Sequence, residues 1–217
     1  MYKIDLHTHS SASPDGGITQ AEYGQILESE SLHAVAITDH DRIDFALRMR
    51  DILGEKIIVG QEVTTRDGEI IGLFLQQPVK PGQSAKDTAV AIHAQGGLVY
   101  IPHPFETVRK GVTQVTLDSI IDEVDIVEAY NGRAFVQNRG PQAITWARMH
   151  QKPIVSSSDA HGAKGLGATY SLVKQRPSRD NLLKLLPQAQ HAMQRPPLYS
   201  LLYPKANRLV RKLKGAA

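Results

Sequence analysis

The strongest constraint on this fold is a rhythm in the chain. Short runs rich in Val and Ile, most of them apolar at nearly every position, alternate with longer stretches of helical period. The runs fall at Tyr2–Leu6, Ala34–Thr38, Ile57–Thr64, Ile70–Leu75, Leu98–Ile101, Ile126–Tyr130, Ile154–Ser156 and Ala168–Val173. Strands without a polar face are strands covered on both sides. The stretches between them predict helices over Ala21–Glu30, Phe45–Leu53, Ala85–Ala94, Leu117–Glu123, Pro141–His150 and Arg179–Leu186. Thr19-Gln20-Ala21-Glu22 announces the first as a capping box, with Tyr23, Ile26 and Leu27 as its apolar stripe. This alternation within 217 residues predicts α/β architecture with a largely parallel sheet, either doubly wound or closed as a barrel.

Composition narrows the chemistry. Hydrophobic residues form 41% of the chain, enough for a real core, and this excludes wholesale disorder. There is no cysteine, so any metal must be held by nitrogen and oxygen, and a cytoplasmic location is expected. No apolar run approaches the ~20 residues that span a bilayer. Asp5 interrupts the stretch where a signal peptide would be apolar, so the mature chain is expected to begin at Met1. The net charge of +3 is concentrated at one end. From Pro187 to Ala217 there is no Asp or Glu, whereas Arg195, Lys205, Arg208, Arg211, Lys212 and Lys214 are basic. The expected division is a domain over 1–187 and a basic tail over 188–217.

Polar clusters follow the apolar runs. His7-Thr8-His9-Ser10, Thr38-Asp39-His40-Asp41, Pro102-His103-Pro104 and Ser158-Asp159-Ala160-His161 each stand at a predicted strand end, and Glu62 lies late in the third run. Parallel α/β folds build their sites at the carboxyl ends of strands, which places these clusters on one rim. Residues i and i+2 of an extended strand project to one side, so His7 with His9, and Asp159 with His161, can chelate. His33, His93, His150 and His191 have ordinary helix-end or polar contexts and are left out of the site.

In this order and spacing, Asp5-Leu6-His7-Thr8-His9-Ser10, Ile37-Thr38-Asp39-His40-Asp41, Gly60-Gln61-Glu62, Ile101-Pro102-His103-Pro104 and Ser158-Asp159-Ala160-His161 carry a resemblance. The chain resembles the PHP (polymerase and histidinol phosphatase) family of metal-dependent phosphoesterases over roughly residues 1–173. The resemblance implies a distorted seven-stranded, TIM-like (β/α)7 barrel with two to three divalent metals (Mn, Fe or Zn) at its carboxyl end. It implies one metal on His7, His9, Glu62 and Asp159, with Glu62 bridging to a second. It implies a third metal on Asp15, His40 and His161. The second would take His103 and a further ligand at the position occupied here by Glu69, where the family usually has histidine. A carboxylate there makes the site harder and favours Mn or Fe over Zn.

Such cations neutralise phosphoryl charge and acidify water, so the expected reaction is hydrolysis of a phosphomonoester or nucleic-acid end by a metal-bridging hydroxide. Asp39 is expected to orient the neighbouring His40 imidazole. Arg109 and Arg133 are the expected phosphate readers, because guanidinium grips phosphate with paired hydrogen bonds. Glu128 and Asn131 stand in the same strand-end region without a ligand signature. Competing expectations are a 5′-3′ exonuclease on short RNA or DNA, an amidohydrolase, and a non-catalytic metal-stabilised interaction module. The Leu and Val residues of the tail recur at helical intervals. They are expected to pack on the barrel with solvated charges, the alternative being a helix that docks on an anionic partner, nucleic acid or membrane.

Overall fold

Every apolar run becomes a strand in the computed structural model, which describes residues 1–135, 137–213 and 215. The strands are β1 (Tyr2–Asp5), β2 (Ala34–Ile37), β3 (Ile57–Thr64), β4 (Glu69–Leu73), β5 (Leu98–Ile101), β6 (Ile126–Asn131), β7 (Ile154–Ser157), β8 (Thr169–Val173) and β9 (Gln190–Met193). The helices are α1 (Gln20–Glu28), α2 (Asp44–Leu53), α3 (Ala85–Ala94), α4 (Gln114–Ser119), α5 (Gly140–Met149), α6 (Leu182–Leu185) and α7 (Tyr203–Leu213). The capping box forms as expected: Thr19 accepts from the Glu22 N–H, and the Glu22 carboxylate accepts from the Thr19 N–H at 2.7 Å.

The strands form one sheet in the order β7-β6-β5-β4-β3-β2-β1-β8-β9, curled into a nearly closed barrel. Nine strands replace the seven implied by resemblance, and the sheet is mixed rather than largely parallel. The pairs β1–β2, β2–β3, β5–β6 and β6–β7 are parallel, whereas β3–β4, β4–β5, β1–β8 and β8–β9 are antiparallel. β9, which sequence reading misses, reads Gln-His-Ala-Met and is half exposed at the sheet edge, so it carries no apolar signature. It also carries the sheet past residue 187. The seam beside β7 closes through polar contacts, with the Ser156 N–H donating to Ser171 Oγ at 2.9 Å.

Apolar residues divide between two cores. Ile4, Leu6, Ala34, Ala36, Ile58, Ile71, Tyr100, Ile126 and Val155 belong to one cluster within the barrel, to which the α6 residue Leu182 and the following Leu186 add. Val35, Ile37, Val59, Val99, Ile101 and Val127 face the other cluster, with Tyr23, Met49, Ile92, Leu117 and Trp146 from the helices. Neighbouring strand positions thus serve opposite cores, which is why the runs look uniformly apolar.

Strand direction places the site. β1, β2, β3, β5, β6 and β7 run the same way and end on one rim. β4 is antiparallel to β3, so its first residue, Glu69, begins at that rim opposite Thr64. β9 returns to the rim and delivers α7 there. Among the described residues, no helix is long and apolar enough to cross a membrane.

Candidate metal centre

Past β1 the backbone stays extended and runs beside the segment that follows β7. The Asp159 N–H donates to His7 O at 2.9 Å and the His9 N–H donates to Ala160 O at 2.8 Å. That pairing sets His7 and His9 against Asp159. Asp5 ties the two segments underneath, its Oδ1 accepting from the Ser158 N–H at 3.0 Å, and burial pushes its carboxyl up to about 7.

Glu62, at the end of β3, lies at the centre. Its Oε2 is 3.4 Å from His7 Nε2, 3.2 Å from His9 Nε2 and 3.4 Å from His40 Nδ1. Its other oxygen, Oε1, is 3.1 Å from His103 Nε2. Asp159 Oδ1 lies 3.6 Å from His7 Nε2 and 3.5 Å from His9 Nε2. On the far side, Asp15 stands 3.5 Å from His161 Nε2 and 3.7 Å from His40 Nε2. Three donor groups result, each with ligand atoms within 4.8 Å of one another: His7, His9 and Asp159; His7, Glu62 and His103; and His9, Asp15, His40 and His161. Glu69 stands just outside them, 3.9 Å from His103 Nε2 and 4.0 Å from His40 Nδ1.

The electrostatics of this cluster suit cations. Burial pushes the Glu62 and Asp159 carboxyls up, but His7 and its neighbours outweigh it and hold both well below the usual range. Burial lowers His7, yet Asp159, Glu62 and Glu128 overcome it and raise the imidazole well above its ordinary value. Glu69 is driven to about 9 by burial and then by the charge of Glu62. Burial and His9 lower His161 to about 4. His103 Nδ1 is buried without a partner among the described residues. Imidazole nitrogens and carboxylate oxygens packed this closely form the donor set of a hard or borderline divalent cation, so the residues fit such metals.

Two ligand candidates sit in the left-handed backbone region, His103 at φ 29° and Asp159 at φ 52°. That region is costly for residues with a Cβ and recurs at functional sites.

Sequence reading misses the support beneath the ligands. Glu128 of β6 is fully buried, with Oε1 3.1 Å from His7 Nδ1. Tyr100 donates its hydroxyl to the same oxygen at 2.5 Å, while the His103 N–H and Asn131 Nδ2 donate to Oε2 at 2.7 and 2.8 Å. The only advance signal is a carboxylate inside the apolar run Ile-Val-Glu-Ala-Tyr.

Asp39 does not do what its position suggests. Its Oδ1 accepts from the Ser10 N–H at 2.6 Å and its Oδ2 from the Ser10 hydroxyl at 2.5 Å. It therefore anchors the segment carrying His9 and, among the described residues, makes no hydrogen bond to the His40 ring.

The two arginines separate. Arg109 donates from Nε and Nη2 to Glu106 at 2.8 and 2.6 Å, and from Nη1 to Asn131 at 2.6 Å and Asp159 at 2.7 Å. Arg133 holds Asp159 more loosely at 3.5 Å, and its buried Nε has no partner among the described residues. Both line a rim cavity of about 570 Å³, together with Asp15, His40, Glu62, Glu69, His103, Asp159 and His161.

The remaining histidines stay away from it. His93 pairs with Glu123 and Asp125, His33 with the Lys3 backbone, His191 with Ser156, and His150 lies against the Trp146 ring.

The tail reverses its expected orientation. Leu209, Val210 and Leu213 of α7 are exposed, and polar side chains seat the helix: Asn207 Nδ2 donates to Asp15 O at 2.8 Å and His161 O at 3.0 Å.

The PHP domain family model matches residues 5–203. An uncharacterized protein of Methanocaldococcus jannaschii is 31% identical over 149 residues, covering 63% of this chain and 87% of its own. A Bacteroides vulgatus two-domain protein described as containing a predicted PHP-like metal-dependent phosphoesterase superposes with a TM-score of 0.70 at 18% identity, over 95% of this chain and 69% of that one. The lesion-specific endonuclease Q of Pyrococcus furiosus gives a TM-score of 0.60 at 17% identity, over 88% of this chain and 57% of that one. At such identities these structural likenesses speak for the fold.

Proposed function

From the premise that the chain belongs to the PHP domain family of metal-dependent phosphoesterases, we propose that its rim hydrolyses a phosphomonoester or a nucleic-acid end. The observation that carries this reading is the convergence of His7, His9, Asp15, His40, Glu62, His103, Asp159 and His161 into contiguous donor groups beside an open cavity. Two to three divalent cations, Mn, Fe or Zn, would be held there. His7, His9, Glu62 and Asp159 would hold one, Glu62 would reach a second with His103 and Glu69, and Asp15, His40 and His161 would hold a third. Glu69 in place of an imidazole favours Mn or Fe. When bound, the cations would neutralise phosphoryl charge and lower the pKa of water from ~15.7 towards about 7.

The chain's own residues do the positioning. Glu128 takes the Nδ1 proton of His7 as its hydrogen bond and so leaves Nε2 free to ligate. Tyr100 and Asn131 hold Glu128 in turn. Arg109, with four N–H···O contacts to protein, positions Asp159. Phosphate reading falls to Arg133, whose Nε has no partner among the described residues. The donor groups all lie within residues 1–187.

Purified protein supplied with Mn²⁺ is to be screened against p-nitrophenyl phosphate, bis-p-nitrophenyl phosphate and short 5′-phosphorylated RNA. We expect metal-dependent turnover, two to three equivalents of metal by elemental analysis, and complete loss on chelation. Protein that carries the metals yet turns over none of the three overturns the reading. Arg133→Lys keeps the charge but loses the fork, so kcat/KM should fall by the equivalent of about 1–3 kcal/mol. Unchanged kinetics would mark Arg133 as a surface residue.

A further inference from the structure

Helix α7 reaches the rim through its polar face. Besides Asn207, Arg208 Nη2 donates to Asp15 Oδ2 at 2.6 Å, and Arg211 donates to the Ser11 and Gly16 carbonyls. The two loops beneath have glycines where the helix comes closest. A Cβ on Gly162 would lie 2.7 Å from the Tyr203 ring, and one on Gly17 would lie 2.9 Å from Asn207 Nδ2. Those loops also carry His161 and Asp15, so the helix rests directly on two ligand candidates. Docking brings charge with it, since Lys205 and Arg208 line the same rim cavity as the donor groups.

The arrangement around the Asp15–His161 pair is two-sided. Arg133 Nη1 lies 3.3 Å from His161 Nδ1, and Arg208 grips Asp15. The side chain of Arg208 is 62% exposed while that of Asp15 is 3% exposed, so the guanidinium reaches in from solvent with donors left over. Three of the cationic side chains on this cavity, Arg133, Lys205 and Arg208, thus stand around the space where a phosphoryl group would sit.

We propose that α7 is a wall of the catalytic pocket and that Arg208 and Lys205 bind phosphoryl oxygens, selecting terminal phosphomonoesters over internal phosphodiesters. The inference rests on the phosphoesterase reading and adds the substrate class. A phosphomonoester is close to a dianion at neutral pH, with a second pKa of about 6, whereas a diester carries one charge. Additional cations on the side away from the barrel therefore favour the monoester. A helix lying over one side of the cavity also leaves less room for a continuing strand.

The test uses metal-loaded protein and the variants Arg208→Met, Lys205→Met and Arg208→Lys. Turnover of p-nitrophenyl phosphate and of bis-p-nitrophenyl phosphate is measured, inorganic phosphate is titrated by calorimetry, and bound metal and melting temperature are recorded. In Arg208→Met we expect the KM for the monoester and the Kd for phosphate to rise about tenfold, as for loss of one charged hydrogen bond. The diester should change much less, Lys205→Met should act in the same direction, and Arg208→Lys should recover part of the loss. Equal loss on both esters, together with lost metal or a lower melting temperature, would show that the helix only props up Asp15, and overturns the proposal. So does unchanged phosphate affinity in both methionine variants. If the wild type turns over neither ester nor short 5′-phosphorylated RNA, the phosphoesterase reading fails by itself, and the phosphate titration still decides the role of α7.

Discussion

Alanine at His9 or Asp159 is expected to lower turnover by about a thousandfold or more, while the far-UV spectrum of the barrel is unchanged. His9 belongs to two of the three donor groups, beside Asp159 in one and beside Asp15, His40 and His161 in the other. Its loss removes a nitrogen from both. Asp159 is the carboxylate to which His7, His9, Arg109 and Arg133 all turn. Removing it leaves two guanidinium groups facing the imidazoles with nothing between them, so metal occupancy should fall with activity. Neither side chain belongs to the apolar clusters that hold sheet and helices together. Elemental analysis alongside kinetics checks the claim, and a variant with full metal content and more than about a tenth of the activity would sink it.

The second large effect concerns stability. Arg109→Met should destabilise the fold by about 3–5 kcal/mol in urea denaturation, the usual cost of stripping one partner from a buried ion pair. Its side chain is 13% exposed, and it faces Glu106 and Asp159, at 4% and 2%. Methionine fills the volume but strips Glu106 of its ion-pair partner and takes from Asp159 its nearest guanidinium, leaving Arg133 at 3.5 Å. A residue whose task was to grip substrate would behave differently, with intact stability and a raised KM. Such an outcome would return Arg109 to the role of phosphate reader that its place in the sequence suggests.

The legible part of this protein is the part that follows local rules. Apolar runs became strands because burial on both sides needs uninterrupted Val and Ile, and β3, β5 and α3 took their expected bounds. The H-x-H spacing sets His7 and His9 in one donor group because the backbone past β1 is extended, whereas Asp159 has a left-handed backbone and falls in a different group from His161. What escaped depends on partners far away in the chain. β9 is a polar edge strand, recognisable only once β8 lies beside it. The role of Glu128 rests on a histidine 121 positions earlier, and that of Arg208 on an aspartate 193 positions earlier. The mixed sheet was illegible for the same reason, since a run of Ile and Val has the same composition whichever way it points.

The left-handed backbones of His103 and Asp159 bear on how such a protein can change. Glycine at either position would relax the peptide and remove the ligand in one step. At His103 a screen scored on thermal tolerance would enrich a substitution that a screen scored on turnover would discard, whereas at Asp159 the same change would also strip Arg109 of a buried partner. The two positions set what the chemistry requires of a side chain against what the backbone prefers.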